Sequence, residues 1–221
     1  MTPAKRVFDL VASGLGLAAL APVLGLVALV ILARDGRPVF YRQVRIGRNG
    51  EPFRIRKFRT MRDAGTAAAP QVTAADDPRV TPLGKVLRRW KLDELPQLLN
   101  VLTGEMSIVG PRPEVPRFVA CYSPEERALL RYVPGLTDPA ALRYRDEERL
   151  LAGAADPEQL YAERIMPEKV RLSLDYARRA TVLSDLGLIG ATLLALGRRG
   201  DPGTVPPPVA IRAGRPSHGA S

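Results

Sequence analysis

The chain has 221 residues but only one cysteine, Cys121, and one histidine, His218. A lone thiol excludes an intrachain disulfide and suits a reducing compartment. A lone histidine in a Gly-, Pro- and Ser-rich tail removes His-based acid–base catalysis and any Cys/His zinc centre. Nucleophilic or proton-transfer chemistry must therefore come from carboxylates. These too are in deficit: 23 Asp and Glu stand against 33 Lys and Arg, a formal charge of +10. Such an excess points to phosphate-bearing partners, whether nucleic acid, anionic lipid or a nucleotide. No internal repeat is visible. With 46% hydrophobic and 25% charged residues, the composition is that of a folded protein with one real core.

Charge is also missing from one long run. Leu10–Ala33 holds no charged residue over 24 positions. As a straight helix it would reach ~36 Å, enough for a hydrocarbon core of ~30 Å. Pro22 falls in its middle, where a missing N–H kinks a helix. Lys5 and Arg6 precede the run; Arg34, Arg37, Arg42 and Arg45 follow it. Basic flanks on both sides favour keeping both ends in the cytoplasm, which a hairpin bent at Pro22 satisfies and a spanning helix does not. On the residues alone the two arrangements weigh equally. From Arg34 to Arg62, ten Arg and Lys face two acids, a net +8 in 29 residues. A juxtamembrane stripe of this kind binds anionic lipid head groups. Phe53 and Phe58 could stack bases, but no nucleic-acid motif accompanies them, so nucleic acid is not an expected partner.

Beyond the apolar run the pattern shortens. "PVFYRQVRIG" and "PFRIRKFRTM" alternate around "RNG" and predict a β-hairpin with an Arg-rich face. Residues 63–80 read as loop. Leu83, Val86, Leu87 and Trp90 predict a helix over Leu83–Trp90. Pro96 predicts the first turn of another, closed by Gly104. "MSIVG" predicts a short buried strand, and "VPGLTDP" at 133–139 a turn. Ser123-Pro124-Glu125-Glu126 predicts a capped helix start. Asp156-Pro157 and Met166-Pro167 predict the openings of two further helices. Leu186–Leu196 is apolar but too short to span a bilayer. The tail from Gly197 lacks periodicity and predicts disorder.

"KLDELPQLLN" (Lys91–Asn100) places Asp93 and Glu94 in front of Pro96. Locally the better reading is an acidic helix start that complements the dipole. Chemistry is the competing reading. An aspartate can attack phosphorus, and a neighbouring glutamate can hold Mg²⁺ or move a proton. Both tasks need cations close by, and Arg88, Arg89, Lys91 and Arg112 supply them. Arg112 stands between Pro111 and Pro113, a stiff mount suited to a phosphate clamp. Lys57 and Arg59 are further basic residues able to face a site. Glu147 and Glu148 in "YRDEE" read first as surface and second as contacts to a sugar.

"KFRTM" (57–61), "GKVLRRWKLDELPQLLNVLTGEMSIVGPRPE" (84–114) and "VPGLT" (133–137) resemble the bacterial sugar transferase family, the monotopic phosphoglycosyl transferases that act on polyprenol phosphate. The resemblance runs from about Lys5 to about Leu196. It implies an α+β fold, mainly helical and monotopic, with a re-entrant helix-break-helix at Pro22 and a small β-hairpin. Residues 1–34 would form the membrane helix, 35–196 a catalytic domain on the cytoplasmic face of the bacterial inner membrane, and 197–221 the tail. The form would be small, carrying the catalytic domain only. The implied reaction moves a sugar 1-phosphate from a UDP-sugar to undecaprenyl phosphate and releases UMP. It passes through a phosphosugar on Asp93, with Glu94 and Mg²⁺ assisting, as the first membrane step of exopolysaccharide, O-antigen or glycoprotein glycan synthesis. Arg112 matches a phosphate-contacting arginine of the family, Arg88 is a weaker match, and Lys57, Arg59 and Thr60 lie in a motif near the nucleotide. Inner-leaflet anionic lipids are expected partners, and the assembly state is left open, a homodimer included. Two departures stand out: Ala21-Pro22 replaces the frequent Ser-Pro, and Asp138-Pro139 with "ALRYRDEERLLA" replaces the usual continuation after "PGLT". The competing reading is a non-catalytic basic scaffold at the membrane surface.

Overall fold

Thr2 opens the first helix by accepting a hydrogen bond from the Lys5 amide, with Pro3 in the first turn, where no N–H is missed. In the computed structural model, which describes residues 1–62, 72–75 and 77–197, this helix, α1, runs over Pro3–Arg34. The expected tail beyond Gly197 and most of the expected loop at 63–80 lie outside the described residues. Helical residues run without interruption from Pro3 to Arg34, so Pro22, the expected break, lies inside one helix. A proline removes one backbone hydrogen bond from a helix, and the bonds of the neighbouring turns continue on either side of it.

α1 is the one described helix long and apolar enough to cross a membrane. It nevertheless docks on the rest of the chain at both ends. Near its start, Arg6 donates to the Val101 and Leu102 carbonyls at 2.6 and 2.8 Å, and Lys5 pairs with buried Asp185 at 2.5 Å. Asp9 is fully buried and accepts from the Ile108 amide at 3.2 Å. Near its end, buried Ile31 packs with Phe58 and Leu87, backed by Leu24, Val27 and Ala28. The opposite side is exposed and apolar, carrying Val7, Leu10, Val11, Leu15, Val23, Leu26, Leu29 and Leu32.

The expected hairpin is present. β1 (Phe40–Ile46) and β2 (Pro52–Phe58) pair antiparallel, and Asn49 and Gly50 take the left-handed backbone that the tight connection needs. The helix expected over 83–90 is α2 (Pro82–Arg89), capped by the Thr81 hydroxyl. A 3-10 turn, Leu92–Gln97, then feeds α3 (Leu98–Thr103), which Gly104 ends in left-handed conformation. The short strand β3 (Ser107–Val109) is buried as expected, followed by α4 (Pro116–Ala120). Residues 133–139 hold a strand within the expected turn: β4 (Gly135–Thr137) runs parallel to β3. The reason is steric. A Cβ on Gly135 would fall 2.1 Å from the Gly110 nitrogen, so only glycine lets these backbones approach.

The capping box expected at Ser123–Glu126 forms reciprocally, at 2.8 and 3.2 Å, and opens a 3-10 turn. α5 (Pro139–Arg143) is capped by Asp138, and α6 is Glu147–Leu151. The two helices expected at 157 and 167 join into one run: α7 (Pro157–Leu160), a π-turn Tyr161–Ile165, and α8 (Met166–Ala177). The second proline falls in the first turn of α8, where it interrupts nothing. α9 (Val182–Gly197) closes the described chain. The largest core cluster sets Val115, Phe118 and Tyr122 against Tyr161, Ile165, Val170 and Leu174.

A Cβ on Gly84 would meet the Thr60 carbonyl oxygen at 2.1 Å, so this glycine sets how closely α2 approaches the end of β2. Gly84→Ala is expected to cost ~1–3 kcal/mol and to lower the melting midpoint by about 5 °C, measured by circular dichroism in detergent. An unchanged midpoint would mean that this contact is slack.

Candidate functional site

The 3-10 turn Leu92–Gln97 begins at Lys91, a non-glycine residue with φ 54° and ψ 21°. Left-handed backbone disfavours a side chain by roughly 1–2 kcal/mol, and such strain persists where the surroundings over-determine it. It rotates the next residues so that Asp93 and Glu94 both turn inward. Asp93 is buried, and its Oδ1 has no hydrogen-bond partner. Glu94 is clamped. Lys57 Nζ, from β2, donates to Oε1 at 2.8 Å, and Arg112, from the Pro-flanked segment after β3, forks onto both oxygens at 2.5 and 3.1 Å. Three segments far apart in sequence thus meet at one carboxylate.

The two acids are driven in opposite directions. Burial works against a charge on Glu94, but Arg112 and Lys57 outweigh it and hold this carboxyl well below the usual range. Glu94 in turn raises Arg112 above its ordinary value. Asp93 is pushed up, first by burial and then by the charge on Glu94, against the pull of Lys57, Lys91 and Arg88. Lys57 is lowered by its burial, with Glu94 opposing. The arrangement is a part-buried cluster of two cations on one carboxylate. Its fixed cations already face a carboxylate, and beside them one carboxylate oxygen is left unengaged.

Of the residues singled out from sequence, Asp93, Glu94, Lys57 and Arg112 come together. Arg88 stands to one side: its guanidinium forks onto Glu148 while its charge still reaches Asp93. Arg59 points elsewhere, donating to the carbonyls of Asp35, Gly36 and Arg37 just past the end of α1. Thr60 is buried, and its carbonyl accepts from the Thr81 amide at 3.0 Å. Among the described residues no group of three or more His, Cys, Asp or Glu gathers as a ready cation cage.

Glu147 carries a sequence expectation, surface first and sugar contact second, whereas its neighbours Lys169, Asp138 and Ser173 escaped sequence reasoning as parts of a site. Glu147 lies where the charge of Arg112 is felt, and it is ion-paired at 2.7 Å to Lys169 of α8. Lys169, 7% exposed, shares a small cavity with Arg112, Asp138 and Ser173. Asp138, expected in a turn, is buried; its carboxylate caps α5 through the Ala141 amide and accepts from the Ser173 hydroxyl. No local pattern marks Lys169, since "PEKVRLS" is ordinary helix, and only the folded pairing brings it to the site.

Removing Glu94 would leave two part-buried cations without their shared partner. Glu94→Ala is expected to destabilise the protein by ~3–5 kcal/mol, the range for breaking a buried ion pair from one side. Chemical unfolding of the two proteins at pH 7 checks this, and a loss below 1 kcal/mol would contradict a desolvated clamp.

Comparison with known proteins bears on the whole chain. The sequence profile described as bacterial sugar transferase matches residues 1–199. The exopolysaccharide production protein ExoY of Sinorhizobium fredii is 36% identical over 207 residues, covering 87% of this chain and 84% of that protein. The UDP-glucose:undecaprenyl-phosphate glucose-1-phosphate transferase of Caulobacter vibrioides is 41% identical, over 87% of this chain and 69% of that one. The undecaprenyl-phosphate glucose phosphotransferase of Komagataeibacter xylinus is 40% identical over 86% of this chain, but only 35% of its own length is covered. The match spans the clamp, the turn that carries it and the helix that docks beside it: the chain belongs to the bacterial sugar transferase family.

Proposed function

We propose that this protein is a phosphoglycosyl transferase that moves a sugar 1-phosphate from a UDP-sugar to undecaprenyl phosphate, an early membrane step of exopolysaccharide or related glycan synthesis. One observation carries the reading. Asp93 keeps a buried, unpartnered Oδ1 beside a neighbour whose own oxygens are held by two cations. An unengaged carboxylate oxygen within a cluster of positive charge is what nucleophilic attack on a diphosphate requires.

In the first half, a carboxylate oxygen of Asp93 attacks the sugar-bearing phosphorus. The bond from that phosphorus to the bridging oxygen breaks, and UMP leaves with the oxygen and its electron pair. In the second half, an oxygen of undecaprenyl phosphate attacks the same phosphorus, the Asp93–phosphorus bond breaks, and the carboxylate is regenerated. Asp93 attacks as the anion, a form that Lys57, Lys91 and Arg88 favour against burial and Glu94. Glu94 holds Lys57 and Arg112 in register for the phosphate oxygens. The unpartnered Oδ1 and the adjacent Glu94 suit Mg²⁺, which commonly takes one or two protein carboxylates and completes its shell with substrate phosphate and water. When bound, that ion would neutralise diphosphate charge and polarise the P–O bond.

The membrane arrangement follows from α1. Because Lys5, Arg6 and Asp9 dock at one end and Ile31 at the other, both ends of the helix lie on the same domain. Its exposed apolar side then enters one leaflet and does not cross, with Pro22 as the point of bending, and the domain rests on the cytoplasmic face. Exposed Arg34, Arg37, Arg42, Arg48 and Arg54 suit anionic head groups there.

Purified protein supplied with Mg²⁺, undecaprenyl phosphate and a panel of UDP-sugars is expected to release UMP. Well-folded protein that releases none would defeat the enzymatic reading. Asp93→Asn is expected to lower turnover at least ~10⁴-fold and to abolish a phosphosugar adduct seen by mass spectrometry; an active variant would remove Asp93 as nucleophile. With Cys121 replaced by serine, Thr2→Cys and Arg34→Cys are both expected to label from the cytoplasmic side. Labelling from opposite sides would mean that α1 spans.

A further inference from the structure

Glu147 and Glu148 stand side by side at the start of α6, yet the fold sends them to different partners. Glu148 receives the forked guanidinium of Arg88, and its carbonyl accepts from the Ala75 amide. Glu147 turns towards the clamp. Lys169 Nζ donates to its Oε2 at 2.7 Å, while Oε1 accepts no hydrogen bond from the described residues. Burial works against a charge on Glu147, but the ion pair and hydrogen bond with Lys169, aided by Arg112, hold the carboxyl below its ordinary value.

Lys169 is fixed from its other side. Its ammonium lies 3.4 Å from the Tyr161 hydroxyl and 5.1 Å from the centre of that ring. Tyr161 donates to Glu114, and Glu114 follows Arg112 by two residues on the same Pro-stiffened segment. Lys169 and Arg112 also line one cavity. The orientation of Glu147 is therefore tied mechanically to the residue that grips Glu94.

This arrangement resolves an electrostatic difficulty. A bare carboxylate next to a phosphate-binding arginine would repel the incoming diphosphate. Lys169 cancels that charge while leaving Oε1 open, and an ionised carboxylate oxygen is an acceptor only. The chemical group it can receive beside a phosphate is a hydroxyl. In a sugar 1-phosphate the hydroxyl-bearing ring begins one bond beyond the phosphate, so an acceptor placed near Arg112 meets the ring. Hydrogen bonds to a charged acceptor are about twice as strong as neutral ones, and a site built around a substrate hydroxyl rejects analogues that misplace it.

We propose that Glu147, oriented and neutralised by Lys169, accepts hydrogen bonds from the donor sugar's ring hydroxyls and sets which sugar is transferred. The proposal rests on the transferase reading above. It makes Glu147 a specificity determinant and Lys169 a positioning residue.

The test compares the intact protein with Glu147→Gln, Lys169→Met, Lys169→Arg and the double variant Glu147→Gln/Lys169→Met. KM and kcat are measured for UDP-glucose, UDP-galactose, UDP-N-acetylglucosamine and UDP-N-acetylgalactosamine. UMP, which lacks the sugar, is titrated as an inhibitor. Glu147→Gln is expected to raise KM for the preferred donor at least tenfold and to flatten the ranking of donors, with UMP inhibition unchanged within twofold. Lys169→Met should shift the ranking in the same direction, Lys169→Arg should restore most of it, and the double variant should be no worse than the poorer single one. Should turnover of a variant be too slow to follow, calorimetric affinities for UDP-sugar and UMP give the same comparison. Should Glu147→Gln unfold, Glu147→Asp, which keeps the charge and shortens the reach, is expected to change the ranking alone. An unchanged ranking in Glu147→Gln, or equal weakening of every donor and of UMP, overturns the proposal. Intact protein that is silent on all four donors defeats the transferase reading, and this proposal with it.

Discussion

Everything near the candidate centre depends on a single carboxylate with two cations on it. Glu94 draws Lys57 from the hairpin and Arg112 from the segment after β3 onto one turn of chain. Removing three charged groups from water is costly, and such pairs are weak evidence for stability, since apolar residues of similar size often do as well. Their persistence is better explained by preorganisation. In the proposed reaction the cations, largely shielded from water, would be aimed before the diphosphate arrives, leaving little reorganisation for the moment of reaction. The strained backbone at Lys91 belongs to the same economy, because it delivers both acids inward from a turn of only six residues.

A second constraint comes from α1. A free spanning helix needs no polar residue on its surface, whereas this one buries Asp9 and Ser13 against the domain and keeps its apolar residues outward. Arg6 meets the end of α3, donating to the Val101 and Leu102 carbonyls at the negative end of the helix dipole. Arg59 does the same just past the end of α1. Roughly half of the basic stripe between Arg34 and Arg62 is thus spent inside the protein, on Gln43, Glu105, Glu94 and backbone carbonyls, and the remainder faces outward. A count of charges along the sequence could not separate these two populations.

The hairpin, α2 and the capped turn at Ser123 were legible because each has a local signature: alternation, helical spacing, a cap with its answering glutamate. Asp93, Glu94, Lys57 and Arg112 were named together through the family resemblance, the local reading of the two acids being a helix start. What escaped notice is what depends on contacts between distant segments. The parallel pairing of β3 with β4 rests on two glycines 25 positions apart that let the backbones touch. Lys169 sits in unremarkable helical sequence and gains meaning only from Glu147, 22 residues away. Pro22 illustrates the converse. Its sequence signal is strong, yet helical residues continue on both sides of it, because a proline removes only one hydrogen bond from the ladder.

The ion pair between Lys5 and Asp185 links positions 180 residues apart. Chains are made from the N-terminus at roughly 5–20 residues per second, so α1 leaves the ribosome many seconds before its partner exists. During that interval Asp9 lacks the Ile108 amide and Lys5 lacks Asp185, whereas the Ser13 hydroxyl is already satisfied within α1 by the Asp9 carbonyl. Docking of α1 therefore waits for α9, and the ion pair that joins them closes only once Asp185 has been made.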